Sequence, residues 1–137
     1  MIRRITQDQF TALCKHVVEK TQAEKKNPVC LVVVDEAGDV VFMYHMDGCP
    51  ARSGKIAGGK AFSAAKMERS TTALADTVKA CNCTLADFMI PGMTILPGGS
   101  VLRDNAGEMV GAIGVSGRSA VEDQACADDC AAFIASL

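Results

Sequence analysis

The sequence predicts an α+β domain built on an antiparallel sheet, and three observations carry the prediction. Two pairs of short β-rich runs are each joined by Gly-containing turn chemistry, so the strands are hairpin-linked. Helical stretches fall before, between and after those pairs instead of alternating with single strands. The length of 137 residues suits one domain, spanning 1–137, with no linker, low-complexity tract or internal repeat.

Each element has its own signal. Thr6 and Gln9 form a capping box, after which Phe10, Leu13, Cys14, Val17, Val18 and Thr21 recur at helical spacing. Glu24-Lys25-Lys26-Asn27-Pro28 ends this helix, with Pro28 as the stop. Val29 to Asp35 is β-branched and apolar on both faces, the pattern of a buried strand. Glu36-Ala37-Gly38-Asp39 is a turn, and Val40 to Met46 is the returning strand. From Arg52 to Met67 an Ala/Gly/Lys segment suits a closely packed helix, and a shorter helix is expected from Thr71 to about Ala80. Pro91-Gly92 and Pro97-Gly98-Gly99 mark turns with short extended pieces between them. Ser100 to Arg103 and Met109 to Ser116 form the second hairpin around Asp104-Asn105-Ala106-Gly107. Ser119 and Glu122 cap a terminal helix whose expected inner face is Cys126, Cys130, Phe133 and Leu137.

Composition excludes several classes. Fourteen basic against sixteen acidic side chains, no Trp and one Tyr leave neither an electrostatic footprint nor a stacking platform for nucleic acid. No apolar run approaches the ~18 residues of a membrane span. The start, MIRRITQDQF, lacks the apolar stretch of a secretory signal. Seven cysteines without such a signal read as reduced thiols in a cytoplasmic protein, most of them small core hydrophobes. Cys81-x-Cys83 lacks the spacer of a zinc knuckle, so no metal site is expected. No Ser-His-Asp arrangement, paired-carboxylate spacing or nucleophile elbow is present, which favours a binding or accessory protein over a catalyst.

Three segments in series carry a resemblance. They are Val32-Val33-Val34-Asp35-Glu36-Ala37-Gly38-Asp39-Val40-Val41 running on to Met46-Asp47-Gly48; Lys60-Ala61-Phe62-Ser63-Ala64-Ala65; and Pro97-Gly98-Gly99 with Gly111-Ala112-Ile113-Gly114-Val115-Ser116-Gly117 and Glu122-Asp123. Together they resemble the GlcG/HbpS/PduO-C-terminal family, also described as a haem-binding or DUF336 domain, over nearly the whole chain. The resemblance implies a profilin-like three-layer domain with an antiparallel five-stranded sheet flanked by helices. It also implies a homo-oligomer, a dimer assembled further into a tetramer or octamer. The implied activity is binding of a tetrapyrrole, haem or a corrinoid, with a link to corrinoid adenosyltransferase or diol dehydratase systems of cobalamin-dependent diol and glycerol metabolism. The chain departs from the family pattern in having His45 near a place often held by Arg, and Ser100-Val101-Leu102 where Val-Pro-Ile is common.

Five residues are the candidate ligand-binding groups. His16 projects about 140° from the stripe of the first helix, toward solvent or another subunit. A solvated histidine is the simpler reading; the resemblance, in which a first-helix His is implicated in haem ligation, makes it the leading axial ligand. His45 shares a strand face with Val41 and Met43 and is expected to be partly buried and hydrogen-bonded, with ligation second. Met46 offers a soft thioether beside the same region, with core filling as its default. Lys60, with Lys55 and Arg52, reads first as a solvated basic face and second as a partner for propionates. Arg118, in Ser116-Gly117-Arg118-Ser119 ahead of a helix, suits either an ordinary cap or a carboxylate or phosphate site. The small residues from Gly111 to Gly117 allow close approach of a neighbouring element or a flat ligand. Two alternatives stay open: an enzyme acting on a small carbonyl or acid with Lys60, Arg118 and His45 around one pocket, and a purely structural oligomeric module without a ligand-sized pocket.

Overall fold

The computed structural model describes residues 4–137; Met1-Ile2-Arg3, read above as part of the N-terminal stretch, lies outside them. The elements run α1 (Gln7–Glu24), β1 (Cys30–Val34), β2 (Val40–His45), α2 (Ser53–Met67), α3 (Thr71–Cys81), β3 (Gly99–Arg103), β4 (Met109–Ser116) and α4 (Ala120–Ser136), with a short 3-10 turn at Leu85–Phe88. The strands form one antiparallel sheet in the order β2-β1-β4-β3. Helices cover both faces: α1 and α4 close one core, and α2 packs over the other.

The expected capping boxes form. Thr6 Oγ1 accepts from the Gln9 amide, the Gln9 side chain accepts from the Thr6 amide, and Ser119 and Glu122 repeat the arrangement at α4. Lys25, in the left-handed region at φ 54°, ends α1 before Pro28 is reached. All five residues of β1 are buried, since it lies inside the sheet with a helix on each side. The two hairpins use one turn design. Asp35 Oδ1 accepts from the amides of Ala37 and Asp39, and Asp104 Oδ1 accepts from those of Ala106 and Glu108. Gly38 and Gly107 sit at positive φ in the two turns. Each hairpin also carries a register shift just before its turn.

That shift changes one expectation. Val33 pairs with Phe42 and Val34 with Val40, so Val41 is passed over and packs with the α1/α4 core instead of sharing a face with Met43 and His45. Phe42 stacks on Phe10 with ring centroids 4.6 Å apart, which anchors α1 across the hairpin.

Several other expectations are corrected. The sheet has four strands, not five, among the described residues. The segment between α3 and β3 contributes no ladder, because its Pro-Gly pairs and the Thr84–Asp87 capping box turn the chain too often for a strand. The buried face of α4 is Asp123, Ala127, Cys130 and Ile134, while Leu137 is 42% exposed. The face is rotated because small Ala127 and charged Asp123 point inward, and a search for large apolar residues passes over both. Cys81 and Cys83 form a disulfide rather than two free thiols; the other five cysteines are free, and three of them are buried. Cys81 ends α3 and Cys83 follows it, with left-handed Asn82 between them where the chain reverses.

The glycines of β4 receive α2. A Cβ on Gly114 would run into the backbone of Ala57 and Ala61, so the strand and the helix touch main chain to main chain. Ala57, Ala61, Ala64 and Ala112 complete this small-residue seam. Of the two uses open to Gly111–Gly117, close approach of an element is the one realised at Gly114. The seam fixes where the next residues of α2 fall, Lys60 among them.

Candidate functional site

Lys60 lies one turn along α2 from Ala57, so the helical period carries it onto the buried face with Ala61 and Ala64. It is 3% exposed, whereas Lys55 and Arg52 are exposed. The solvated-face reading therefore holds for Lys55 and Arg52 and fails for Lys60. Its Nζ donates to the Val115 carbonyl at 2.8 Å and to Asp123 Oδ2 at 3.1 Å. Asp123, itself buried, accepts from the Arg118 amide on its other oxygen at 2.9 Å. The stem of Lys60 passes so close to Gly98 that a Cβ there would lie 2.8 Å from Nζ. Positive φ and lack of space both require glycine at this position.

This ion pair forms one wall of a cavity of about 300 Å³ between the N-terminal ends of α2 and α4. Arg52, Ile56, Leu96, Pro97 and Arg118 line the rest. A second cleft, of about 350 Å³, runs between α1 and α4 over Val17, Ala125 and Cys126. Arg118 lines both. Its guanidinium donates to the Asn27 carbonyl at 2.8 Å and to Thr21 Oγ1 at 2.9 Å, so it ties the end of α1 to the start of α4.

His16 does not line the α1/α4 cleft but adjoins it through Asp129, which does. It does not project freely into solvent: Nε2 lies 2.8 Å from Asp129 Oδ2, and the ring stacks on Phe133 at 4.2 Å. Lys20 binds the other Asp129 oxygen at 2.9 Å. Burial works against the ionised form of Asp129, but the hydrogen bonds from Lys20 and His16 outweigh it and hold the carboxyl below its usual pKa. Further along, Lys26 pairs with Glu122 at 2.9 Å. That bond, with those from Ser119, draws the Glu122 pKa from 4.5 down to about 2. Cys126 in the cleft wall accepts a hydrogen bond from the Cys130 thiol, which lowers its pKa against the opposing effect of burial.

The remaining candidates sit apart from both cavities. His45 is exposed because β2 is an edge strand; its ring nitrogen is 3.2 Å from the Pro50 carbonyl, so the expected hydrogen bond forms without the expected burial. Met46 is buried in the α1/α4 core, where its sulfur accepts from the Val29 amide at 3.4 Å. Lys60 and Arg118 thus meet around one cavity that His45 does not line. Sequence reasoning missed the partner groups Asp123 and Asp129. A carboxylate in step with Ala127 and Cys130 was the available signal for Asp123, since a buried acid requires a cation or several donors.

The fold defines a small α+β domain, an antiparallel sheet between helices, with two clefts beside α4 that share Arg118. The chain belongs to the family described as haem degrading protein HbpS-like, whose model matches residues 5–132. Among solved structures it is similar to the Klebsiella pneumoniae protein ORFY, of DUF336, at 25% identity over 100% of this chain and 94% of that one, with a TM-score of 0.83. It is similar to a PduOC:heme complex at 26% identity over 94% of each chain, with a TM-score of 0.79. HbpS of Streptomyces reticuli, as a double mutant, is 30% identical over 98% of this chain and 89% of that one, with a TM-score of 0.81. No curated protein matches the chain in sequence. No helix among the described residues is long and apolar enough to cross a membrane.

Proposed function

We propose that this protein is a haem-binding accessory protein that holds its ligand at the α1/α4 cleft, with His16 as axial ligand. The carrying observation is the His16–Asp129 hydrogen bond. Metal-ligating histidines characteristically donate one ring N–H to a carboxylate, which sets the tautomer and the ring orientation. With Nε2 held by Asp129, Nδ1 is the nitrogen left for a metal. Haem, when bound, supplies an iron for that nitrogen and two propionates for cations. Lys20, Lys26 and Arg118 line the cleft and suit propionates, and Val17 and Ala125 suit the ring edge. Family membership and the haem complex of PduOC support the same ligand.

The cleft is at the small end of the roughly 300–1,000 Å³ typical of ligand pockets, so it covers only part of a macrocycle. A second copy of the chain supplies the missing wall in this reading, within a dimer-based tetramer or octamer. Exposed Val40 and Met43 on the edge strand β2 support such self-association. Light scattering at micromolar protein is the check, and a monomer would remove the shared wall. The five free thiols favour the cytoplasm, the Cys81–Cys83 disulfide notwithstanding.

Haem titration followed in the Soret region tests the ligation. A red-shifted, saturable band is expected for the wild type and its loss for His16→Ala; an unchanged band in the variant overturns the assignment. Cobalamin titration, followed by its own absorbance, tests the corrinoid reading.

A further inference from the structure

We infer that the inner cavity between α2 and α4 is a second binding site, for a small organic carboxylate with a short apolar tail. The charge balance there is unusual. Arg52, Lys60 and Arg118 line it against a single carboxylate, Asp123. Asp123 is already engaged by Lys60 and by the Arg118 amide. The guanidinium of Arg118 has only neutral acceptors, Asn27 O and Thr21 Oγ1, and Arg52 pairs with no carboxylate among the described residues. Positive charge in excess of its counter-charge, in a cleft with apolar surface along one wall, selects an anion.

Lys60 makes the site more than a charged surface. Its ammonium group has three protons, and two are committed to Val115 and Asp123. The third has no protein acceptor among the described residues, and Lys60 lines the cavity. The ammonium is held in place from three sides: the bond to Asp123, the bond to Val115 and the closeness of Gly98. A donor pre-positioned in this way loses little entropy on binding. The first residues of α2 and α4, Ser53 and Ala120, line the same space, and their helix N-termini add to the positive potential.

The remaining wall explains the tail. Ile56, Leu96 and Pro97 present apolar surface opposite the cations. Leu96 is 50% exposed, an apolar side chain at the mouth with little of its own to cover it. A cavity of about 300 Å³ takes a carboxylate and a short chain but not a macrocycle. This inference does not rest on the haem reading, and either can fail alone.

The test is amide chemical-shift titration of the full chain with hexanoate, hexanol and inorganic phosphate. Hexanoate is expected to give saturable shifts at Ser53, Ile56, Gly117 and Ala120, with no saturation for hexanol. Arg52→Gln changes an exposed side chain with no ion-pair partner among the described residues, so the variant folds, and it is expected to bind hexanoate about tenfold more weakly, as befits one hydrogen bond to a charged group. No saturable shift with hexanoate, equal shifts with hexanol, or wild-type affinity in Arg52→Gln would each overturn the site. Phosphate binding as tightly as hexanoate would overturn the apolar-tail assignment. Haem titration of Arg52→Gln keeps the two readings separate: an unchanged Soret band is expected.

Discussion

The two clefts on either side of Arg118 answer the same problem, charge near an apolar core, in opposite ways. In the α1/α4 cleft, Lys20 and Lys26 face Asp129 and Glu122, and the lysine side chains are 44% and 41% exposed. Water screens these pairs, so each contributes little to stability while keeping the rim polar. In the inner cavity the Lys60 and Asp123 side chains are only 4% and 5% exposed. With so little of either side chain open to the cavity, the loss of one partner leaves the other ion largely uncompensated. The first arrangement tolerates change and suits a surface that exchanges partners. The second is a fixed part of the fold that also presents a donor.

Breaking the inner pair gives the largest expected effect. Lys60→Met leaves Asp123 buried without its cation and is expected to cost about 3–5 kcal/mol in urea unfolding. Adding Asp123→Leu is expected to recover most of that loss, because no uncompensated charge remains. A single variant as stable as wild type would mean that water reaches the pair. On the outer side, Asp129→Asn is expected to weaken haem binding roughly 10- to 100-fold, the usual effect of removing the carboxylate behind a ligating histidine, with little change in stability. Equal affinity in this variant would separate Asp129 from the ligand.

Two smaller effects sharpen the contrast. Ser119→Ala removes the cap of α4, beside both clefts, and is expected to cost about 1 kcal/mol in thermal unfolding. The exposed Lys26–Glu122 pair is read by pH. Glu122 is held at about 2, below its ordinary 4.5, so its contribution to stability is complete above pH 4.5 and disappears as pH falls through 2. The melting-temperature gap between wild type and Glu122→Gln should therefore close over that window. High salt at neutral pH should narrow it as well, since the pair is solvated. A gap that survives high salt would assign the effect of Glu122 to its capping bonds with Ser119 instead of to Lys26.

Much of the fold was legible because its signals are local. The capping boxes of Thr6 and Ser119, the Asp-led turns at Asp35 and Asp104 and the apolar run of β1 each lie within a few residues of the structure they specify. The shared turn design of the hairpins was also present in the sequence, as Asp35-Glu36-Ala37-Gly38-Asp39 and Asp104-Asn105-Ala106-Gly107-Glu108, although it is too short to stand out as a repeat. The expected fifth strand came from resemblance, and no residue pattern between α3 and β3 supports one. Of the candidate site, the residue types were legible and their surroundings were not. His16 was correctly placed off the inner stripe of α1, yet its projection said nothing of the α4 helix lying beside it.

The sequence by itself determined which segments are helix, strand and turn, because hydrogen bonding and side-chain periodicity act over a turn of helix or a pleat of strand. It also determined that Gly114 and the alanines of α2 leave room for close packing. Only the tertiary structure decided which charges meet. Lys60 and Asp123 are 63 residues apart in the chain, and His16 and Asp129 are 113 apart. No local rule links such pairs. The Gly114–Ala57 contact sets α2 against the sheet, and that seating carries Lys60 inward to Asp123 and leaves Lys55 in water. A lysine is written identically in both places, and the difference between them is which face of the helix packing turns toward the sheet.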